Sequence, residues 1–93
     1  MKLSLEGKTV WITGAGSGIG RAAVNSLVKA GARVALSGRR REPLIETLSM
    51  IQSHNGEGII AALDVADSEA VLASAENIRA ELGEIDILVN SAG

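Results

Sequence analysis

Four glycines in seven residues follow a short apolar run and could bind a phosphate group. The segment reads Thr13-Gly14-Ala15-Gly16-Ser17-Gly18-Ile19-Gly20. Glycines let the backbone turn sharply and approach an anion, and a helix that begins after them directs free N–H groups at it. Ser17 adds a hydroxyl donor, whereas Thr13 is expected to brace the loop rather than touch a ligand. The segment therefore predicts a loop that binds the phosphates of a nucleotide.

The glycine spacing excludes two common phosphate-binding motifs. The Gly-x-Gly-x-x-Gly fingerprint needs a glycine where the chain has Ile19 or Arg21. The motif Gly-x-x-x-x-Gly-Lys-Ser/Thr fails because no lysine follows a suitably spaced glycine. A connector that serves only the turn is the alternative. The loop is thus a third type of glycine turn between a strand and a helix.

The apolar runs around this loop predict alternating strands and helices. The predicted strands cover residues 9–13, 33–37, 58–63 and 85–90, and the predicted helices cover 19–30, 41–53 and a third that Asp67 or Ser68 caps and Gly83 ends. The residues predicted to face inward are Ile19, Ala23, Leu27 and Ala30 in the first helix, Leu44, Leu48 and Ile51 in the second, and Val71, Ala75, Ile78 and Leu82 in the third.

The order β-α-β-α-β-α-β predicts an α/β fold with a parallel sheet covered on both faces. Right-handed crossovers give strand order 3-2-1-4, as in a Rossmann-type doubly wound sheet. Ligands of such sheets bind at the carboxyl ends of the strands where the order reverses, which brings 14–20 and 90–93 together. A sheet that ends here leaves an apolar edge unpaired. We therefore expect residues 1–93 to be the N-terminal dinucleotide-binding part of a single, longer Rossmann domain.

Composition excludes several other classes of function. The net charge of −2 gives no electrostatic basis for binding nucleic acid or an anionic membrane. The absence of cysteine excludes disulfides and thiolate metal sites, and the single histidine, His54, is expected to cap a helix end. The first residues do not form a signal peptide, and no apolar run approaches the roughly 20 residues of a membrane span. We expect a cytoplasmic protein without metal, membrane or nucleic-acid partners.

Three segments together resemble the short-chain dehydrogenase/reductase family. They are the glycine loop, Asp64-Val65, and Ile85-Asp86-Ile87-Leu88-Val89-Asn90-Ser91-Ala92-Gly93, at the ends of predicted strands one, three and four. The resemblance implies that cofactor phosphates and the adjoining ribose contact Gly14, Ser17, Gly18, Ile19 and Gly20. It also implies that Asp64 accepts a hydrogen bond from the adenine amino group beside the Val65 backbone, although Asp64 could instead serve as a helix-entry residue.

The last segment departs from the family pattern at one position. Asn90, Ala92 and Gly93 resemble the Asn-Asn-Ala-Gly segment, which implies that they lie against the adenosine ribose and steady the sheet. Ser91 stands where the second asparagine is expected. Serine keeps a hydroxyl but loses the paired donor and acceptor of the amide.

The end of the second strand bears on which dinucleotide is bound. In NAD-preferring members an acidic residue there binds the ribose hydroxyls, but this chain has Gly38, followed by Arg39, Arg40 and Arg41. A missing carboxylate removes repulsion against a 2′-phosphate, and an arginine supplies charge-assisted contacts. The alternative is a solvated charged surface. We expect NADP(H) to be favoured over NAD(H), with Arg39 the first contact and Arg40 the second.

The resemblance implies an NAD(P)(H)-dependent oxidoreductase that interconverts an alcohol and a carbonyl. It also implies a catalytic serine and a Tyr-x-x-x-Lys pair, and assembly into a homodimer or homotetramer. The chain has no tyrosine, so no catalytic residue is expected within it. The alternative is a noncatalytic module that binds the nucleotide as a ligand or signal.

Overall fold

The computed structural model describes residues 4–16 and 18–91. Strands and helices alternate in the order β1 (Thr9–Thr13), α1 (Gly18–Lys29), β2 (Arg33–Ser37), α2 (Arg41–Ser53), β3 (Gly58–Ile60), α3 (Ser68–Leu82) and β4 (Ile87–Asn90). The predicted α/β order is confirmed.

The four strands form one parallel sheet in the order β3-β2-β1-β4. In the register of β1, Thr13 is level with Ser37 of β2 and with Asn90 of β4. The order reverses beside β1, because α1 crosses to β2 on one side and α3 returns the chain to β4 on the other. The predicted Rossmann-type topology is confirmed.

Two strands are shorter than the sequence predicts. β3 ends at Ile60 rather than at residue 63, and β4 begins at Ile87 rather than at residue 85. Hydrogen bonds to the neighbouring strand continue beyond both limits, from Ala61 N to Leu36 O (2.8 Å) and Leu63 N to Gly38 O (3.0 Å) after β3, and from Asp86 N to Thr9 O (2.9 Å) before β4. The apolar pattern therefore marks the whole segment that lies beside the neighbouring strand. That segment is longer than the part with regular strand pairing.

Alternation along β1 builds a core on each face of the sheet. One cluster packs α1 and α2 on the sheet and contains Val10, Ile12, Ala15, Val24, Ala32, Val34, Leu36, Leu44 and Ile51. The other packs α3 and contains Trp11, Ala35, Ala61, Leu63, Ile78 and Leu82. Trp11 lies in the core, as predicted, and the sheet is covered on both faces.

The inward face of α1 differs from the prediction. Ile19 is 83% exposed, whereas Gly20 and Val24 are buried. The prediction for Ile19 was wrong because the first turn of α1 leaves the glycine loop at the edge of the sheet, where no strand lies beneath that side chain. In α2 the buried residues include Thr47 in addition to the predicted Leu44 and Ile51.

Helix ends follow local side-chain chemistry. Asp67 caps α3, since its carboxylate accepts a hydrogen bond from Ala70 N at 3.1 Å. After α2, Asn55 adopts a left-handed φ of 59°, and Gly56 N donates to Ile51 O at 3.0 Å. Within 4–16 and 18–91, no helix combines the length and the apolar character that a membrane crossing requires.

Candidate cofactor-binding site

A cleft of about 590 Å³ opens at the carboxyl ends of β1 and β2. Its lining combines the glycine loop with the segments that follow β2 and β3: Thr13, Gly14, Gly16, Gly38, Arg39, Arg40, Pro43, Leu44, Leu63 and Val65. This is the edge at which parallel α/β sheets bind their ligands. The structure thus places the predicted phosphate loop and the two predicted arginines in one cavity.

Close packing explains the glycine spacing of the loop. Gly14 adopts a φ of 68°, in the region that favours glycine. A Cβ on Gly20 would overlap the Gly14 carbonyl oxygen and lie 3.1 Å from the Ser91 hydroxyl. The start of α1 therefore rests directly on the loop and on the end of β4. A Cβ on Gly16 would lie 2.7 Å from the Pro43 Cβ, because α2 also packs closely against the loop.

Two polar side chains that sequence reasoning missed hold the loop to α2. The Thr47 hydroxyl lies 2.9 Å from the Ala15 carbonyl oxygen, and Arg21 Nη2 donates to the Gly16 carbonyl at 2.9 Å. Arg21 Nε also donates to the Thr47 hydroxyl at 3.0 Å. One signal was present in the sequence: Thr47 is a polar residue on the inward face of α2, between Leu44 and Ile51.

The end of β4 is joined to β1 by side-chain hydrogen bonds. The Thr13 hydroxyl donates to Asn90 Oδ1 at 2.8 Å, and the Ser91 hydroxyl donates to the Thr13 carbonyl. Thr13 was predicted to brace the loop, whereas its hydroxyl braces the neighbouring strand β4 and its residue lines the cleft. Ser91 keeps a link to β1 with its hydroxyl in place of an amide.

The end of β2 carries positive charge and no carboxylate of its own. Gly38 is followed by Arg39, whose Nη2 lies 3.7 Å from Asp64 Oδ1 beyond β3. Their side chains are 78% and 48% exposed. Asp64 Oδ1 also accepts a hydrogen bond from Ala66 N at 2.9 Å, so the carboxylate both shapes the turn that leads to α3 and faces Arg39.

A second cavity of about 180 Å³ adjoins the cleft. Thr13 and Val65 line both cavities, and the second is completed by Trp11, Val71, Leu88 and Asn90. Asn90, predicted to contact a ribose, therefore lies one strand away from the glycine loop at the same edge of the sheet.

The structure places the predicted contact residues in different parts of the site. Gly14, Gly38, Arg39, Arg40 and Val65 line the cleft; Asn90 lines the adjoining cavity, and Asp64 reaches Arg39. Gly18, Ile19 and Gly20 form the first turn of α1. Ser17, Ala92 and Gly93 lie outside the described residues. In the described part of the chain, no group of three or more His, Asp or Glu side chains is arranged to hold a metal ion.

A parallel β3-β2-β1-β4 sheet with a glycine loop at its carboxyl edge defines a Rossmann-type nucleotide-binding domain. A model of the family described as short chain dehydrogenase matches residues 8–93. The chain belongs to the short-chain dehydrogenase family.

Individual relatives agree with this assignment. The chain is 44% identical over 91 residues to the 3-oxoacyl-(acyl-carrier-protein) reductase of Salmonella typhimurium, covering 98% of this chain and 36% of that protein. L-sorbose reductase from Gluconobacter frateurii, solved with NADPH and L-sorbose, matches with a TM-score of 0.92 and 37% identity over 100% of this chain and 36% of that one. NAD+-bound xylitol dehydrogenase matches with a TM-score of 0.87 and 31% identity over 90% of this chain and 32% of that one. The chain spans about a third of the length of these relatives.

Proposed function

We propose that the cleft binds a nicotinamide dinucleotide, with NADP(H) favoured over NAD(H), and that the protein is an oxidoreductase that interconverts an alcohol and a carbonyl. The observation that carries the proposal is the joint lining of one 590 Å³ cleft by the glycine loop and by Arg39 and Arg40. The names of the relatives, a 3-oxoacyl reductase and an L-sorbose reductase, support the carbonyl chemistry.

The glycine loop is the proposed site of the pyrophosphate. Gly14 and Gly16 line the cleft without side chains, so an anion could approach the backbone closely. Gly18, Ile19 and Gly20 form the first turn of α1, whose N–H groups lack partners within the helix. With Ser17, they make the phosphate and ribose contacts that the family pattern implies.

The preference for NADP(H) rests on the end of β2. A 2′-phosphate there would meet Arg39 and Arg40 and no carboxylate on the strand end. An exposed ion pair such as Arg39–Asp64 contributes about 0–1 kcal/mol. Hydrogen bonds to charged groups contribute about 1.5–3 kcal/mol. The ion pair is therefore too weak to hold Arg39 away from a phosphate.

Asp64, Val65 and Asn90 are the proposed contacts of the adenosine moiety. The Asp64 carboxylate would accept from the adenine amino group beside the Val65 backbone, while Asn90, with Ala92 and Gly93, would lie against the ribose. The bond from Thr13 orients Asn90, because it fixes Oδ1 as an acceptor and leaves the amide N–H groups to donate. When bound, the dinucleotide would donate a hydride to the carbonyl carbon in reduction or accept one from the hydroxyl-bearing carbon of the alcohol in oxidation, and the residues of this chain would bind and orient it. We assign no catalytic residue to residues 1–93.

Equilibrium titration of the protein with NADPH and NADH tests the proposal. Trp11 is the single tryptophan of residues 1–93 and lines the cavity next to the cleft, so energy transfer from Trp11 to the reduced nicotinamide reports binding. We expect NADPH to bind at least about tenfold more tightly, the equivalent of 1.4 kcal/mol. Tighter binding of NADH would contradict the preference, and no binding of either would overturn the site. Oxidation of NADPH in the presence of a panel of small ketones and aldehydes tests the activity.

We further propose that the protein acts in the cytoplasm as a homo-oligomer. The lack of cysteine in residues 1–93 is compatible with the cytoplasm and with other compartments, and the family pattern supports a dimer or tetramer. Light scattering after size exclusion tests the assembly, and a monomer at micromolar concentration would contradict it. Fractionation of cells that express the protein tests its location.

A further inference from the structure

We propose that Arg21 and Thr47 are positioning residues that hold the glycine loop in its binding conformation by tying it to α2. This inference rests on the proposed dinucleotide site. Neither side chain lines the cleft, so both would act through the loop backbone. We call this pair the Arg21–Thr47 bridge.

Thr47 anchors the middle of the loop. Its side chain is fully buried, and its hydroxyl lies within donor distance of two carbonyl oxygens, Ala15 at 2.9 Å and Pro43 at 3.1 Å. Ala15 is also fully buried, and its N–H donates to the Ser37 carbonyl at 3.1 Å. The peptide groups on both sides of Ala15 are thus held from β2 and from α2, which leaves the loop little freedom to turn.

Arg21 extends the same connection to the next peptide. Its Nη2 donates to Gly16 O at 2.9 Å and to Pro43 O at 3.1 Å, and it lies 3.2 Å from Glu46 Oε2. Its Nε donates to the Thr47 hydroxyl at 3.0 Å. One guanidinium therefore joins the loop, the first turn of α2 and the buried hydroxyl.

The direction of these bonds explains how the bridge would assist phosphate binding. The bridge engages the carbonyl oxygens of Ala15 and Gly16, the groups that would repel an anion. In a trans peptide the N–H points opposite to the C=O, so fixing the Ala15 carbonyl toward α2 directs the Gly16 N–H away from α2. Donors that are fixed before the ligand arrives need no rearrangement on binding, which raises affinity.

Variants of Thr47 test the bridge in the full-length protein. Thr47→Val keeps the shape of the side chain and removes the hydroxyl, whereas Thr47→Ser keeps the hydroxyl. We expect Thr47→Val to raise the Kd of NADPH and of NADH by the same factor, roughly tenfold or about 1.4 kcal/mol. The increase in Kd is expected to be the same for both cofactors because both carry the pyrophosphate. Thr47→Ser is expected to restore binding of both cofactors.

Thr9→Val is the matched control. Thr9 is fully buried in β1, and its hydroxyl donates to Leu82 O at 3.0 Å, at the opposite edge of the sheet from the loop. The Thr9→Val variant should be less stable in urea, as Thr47→Val is, but should keep the wild-type Kd values for NADPH and NADH. If Thr47→Val does not fold, Arg21→Lys replaces it as the test. Arg21 is half-buried, and lysine keeps its charge but loses the several contacts of the guanidinium. We expect Arg21→Lys to weaken the binding of both cofactors with a smaller loss of stability.

The binding results distinguish a failure of the Arg21–Thr47 bridge from a failure of the proposed cofactor site. Unchanged Kd values in Thr47→Val or Arg21→Lys would overturn the bridge while leaving the cofactor site intact. An equal loss of binding in Thr9→Val would also overturn it, because the effect would then follow from stability alone. Wild-type protein that binds neither dinucleotide would overturn the proposed function and the bridge together.

Discussion

Arg39 and Asp64 face each other across the ends of β2 and β3, with Nη2 3.7 Å from Oδ1. The pair brings the residue proposed for a 2′-phosphate next to the residue proposed for adenine. A single adenosine moiety could contact both, since Arg39 lines the cleft and Val65, the neighbour of Asp64, lines it as well. The two residues are 25 positions apart in the sequence, and the parallel pairing of β2 with β3 brings them together.

Replacement of Arg39 by glutamine is expected to weaken NADPH binding selectively. The variant loses charge-assisted contacts worth about 1.5–3 kcal/mol, or roughly ten- to a hundredfold in Kd. The Kd of NADH is expected to stay the same, because NADH has no 2′-phosphate. Titration of both cofactors measures the change.

Arg41→Gln is the control for Arg39→Gln. Arg41 is exposed and begins α2, outside the set of residues that lines the cleft. It changes the net charge equally and should leave both Kd values as in the wild type. Equal effects of the two variants would indicate general attraction of the anion rather than a contact at Arg39.

Gly38→Asp is expected to reverse the cofactor preference. The variant places a carboxylate at the strand end, where it would repel a 2′-phosphate and could accept from ribose hydroxyls. The atoms nearest to a Cβ at Gly38 belong to Leu44 and lie 3.4 Å or more away, and the φ of Gly38 is not in the glycine region, so the site tolerates a side chain. Gly38→Asn has nearly the same shape without the charge. A shift of the cofactor preference toward NADH in Gly38→Asp but not in Gly38→Asn supports an electrostatic cause. The same shift in both variants would indicate a steric cause.

Gly20→Ala tests the close contact between α1 and the loop. The added methyl group would overlap the Gly14 carbonyl oxygen, and this clash with backbone cannot be relieved by a side-chain rotation. We expect a loss of about 3 kcal/mol or more in the free energy of unfolding, measured in urea, together with weaker binding of both cofactors.

Gly7→Ala provides the comparison for Gly20→Ala. Gly7 has a φ of 78°, and no atom lies within 4 Å of the position that a Cβ would take, so its cost is backbone strain alone, roughly 1–2 kcal/mol. Cofactor binding should not change in this variant. A Gly20→Ala protein as stable as Gly7→Ala would contradict the tight packing of α1 on the loop.

Strong local signals allowed much of the fold to be predicted from sequence. β1, β2 and α2 were predicted to the residue, because apolar runs there end at glycines or at the charged segment 39–42. The last residue of β3 and the first residue of β4 could not be predicted in the same way. These limits depend on where regular pairing with the neighbouring strand stops and starts. Ile19 was assigned to the core by its spacing, but burial also depends on whether a strand lies beneath the first turn.

Part of the cleft lining was predictable from local sequence, namely the glycine loop, Gly38 and the two arginines that follow it. Gly14 stands out because its positive φ favours glycine, and Gly38 because it stands where NAD-preferring members carry an acidic residue. The Arg21–Thr47 bridge depends on how α1 packs beside α2, and its partners are 26 residues apart. The polar Thr47 on the inward face of α2 was a local signal, but it does not identify Arg21 as the partner. The contact of Arg39 with Asp64 likewise depends on a pairing between strands.

Truncation of Ile78 is expected to destabilise the face of the sheet that α3 covers. Ile78 is fully buried with Trp11, Ala35 and Leu82, so Ile78→Ala leaves a cavity and costs about 2–5 kcal/mol. Leu72, on the same helix, is 68% exposed, and Leu72→Ala should change the free energy of unfolding by less than about 0.5 kcal/mol. Urea unfolding of both variants measures the difference, and equal losses would contradict the packing of α3.

Ser37→Ala is expected to destabilise the sheet by leaving the Trp11 indole without its partner. Trp11 Nε1 donates to Ser37 Oγ at 2.7 Å, and the same hydroxyl donates to Ala61 O at 2.8 Å, so one serine joins β1, β2 and the segment after β3. An unpaired buried donor costs about 1–3 kcal/mol, which far-UV circular dichroism in urea can resolve.

A double-mutant cycle separates this hydrogen bond from other effects of the serine. In a Trp11→Phe background the indole N–H is gone, so Ser37→Ala loses only the bond to Ala61 and should cost less than it does in the wild type. Ser26→Ala, at an exposed position of α1, is expected to be neutral in both backgrounds. An equal cost of Ser37→Ala with and without the indole would show that Trp11 and Ser37 are not energetically coupled, whereas the difference between the two costs measures the coupling energy of the side-chain bond that joins β1 to β2.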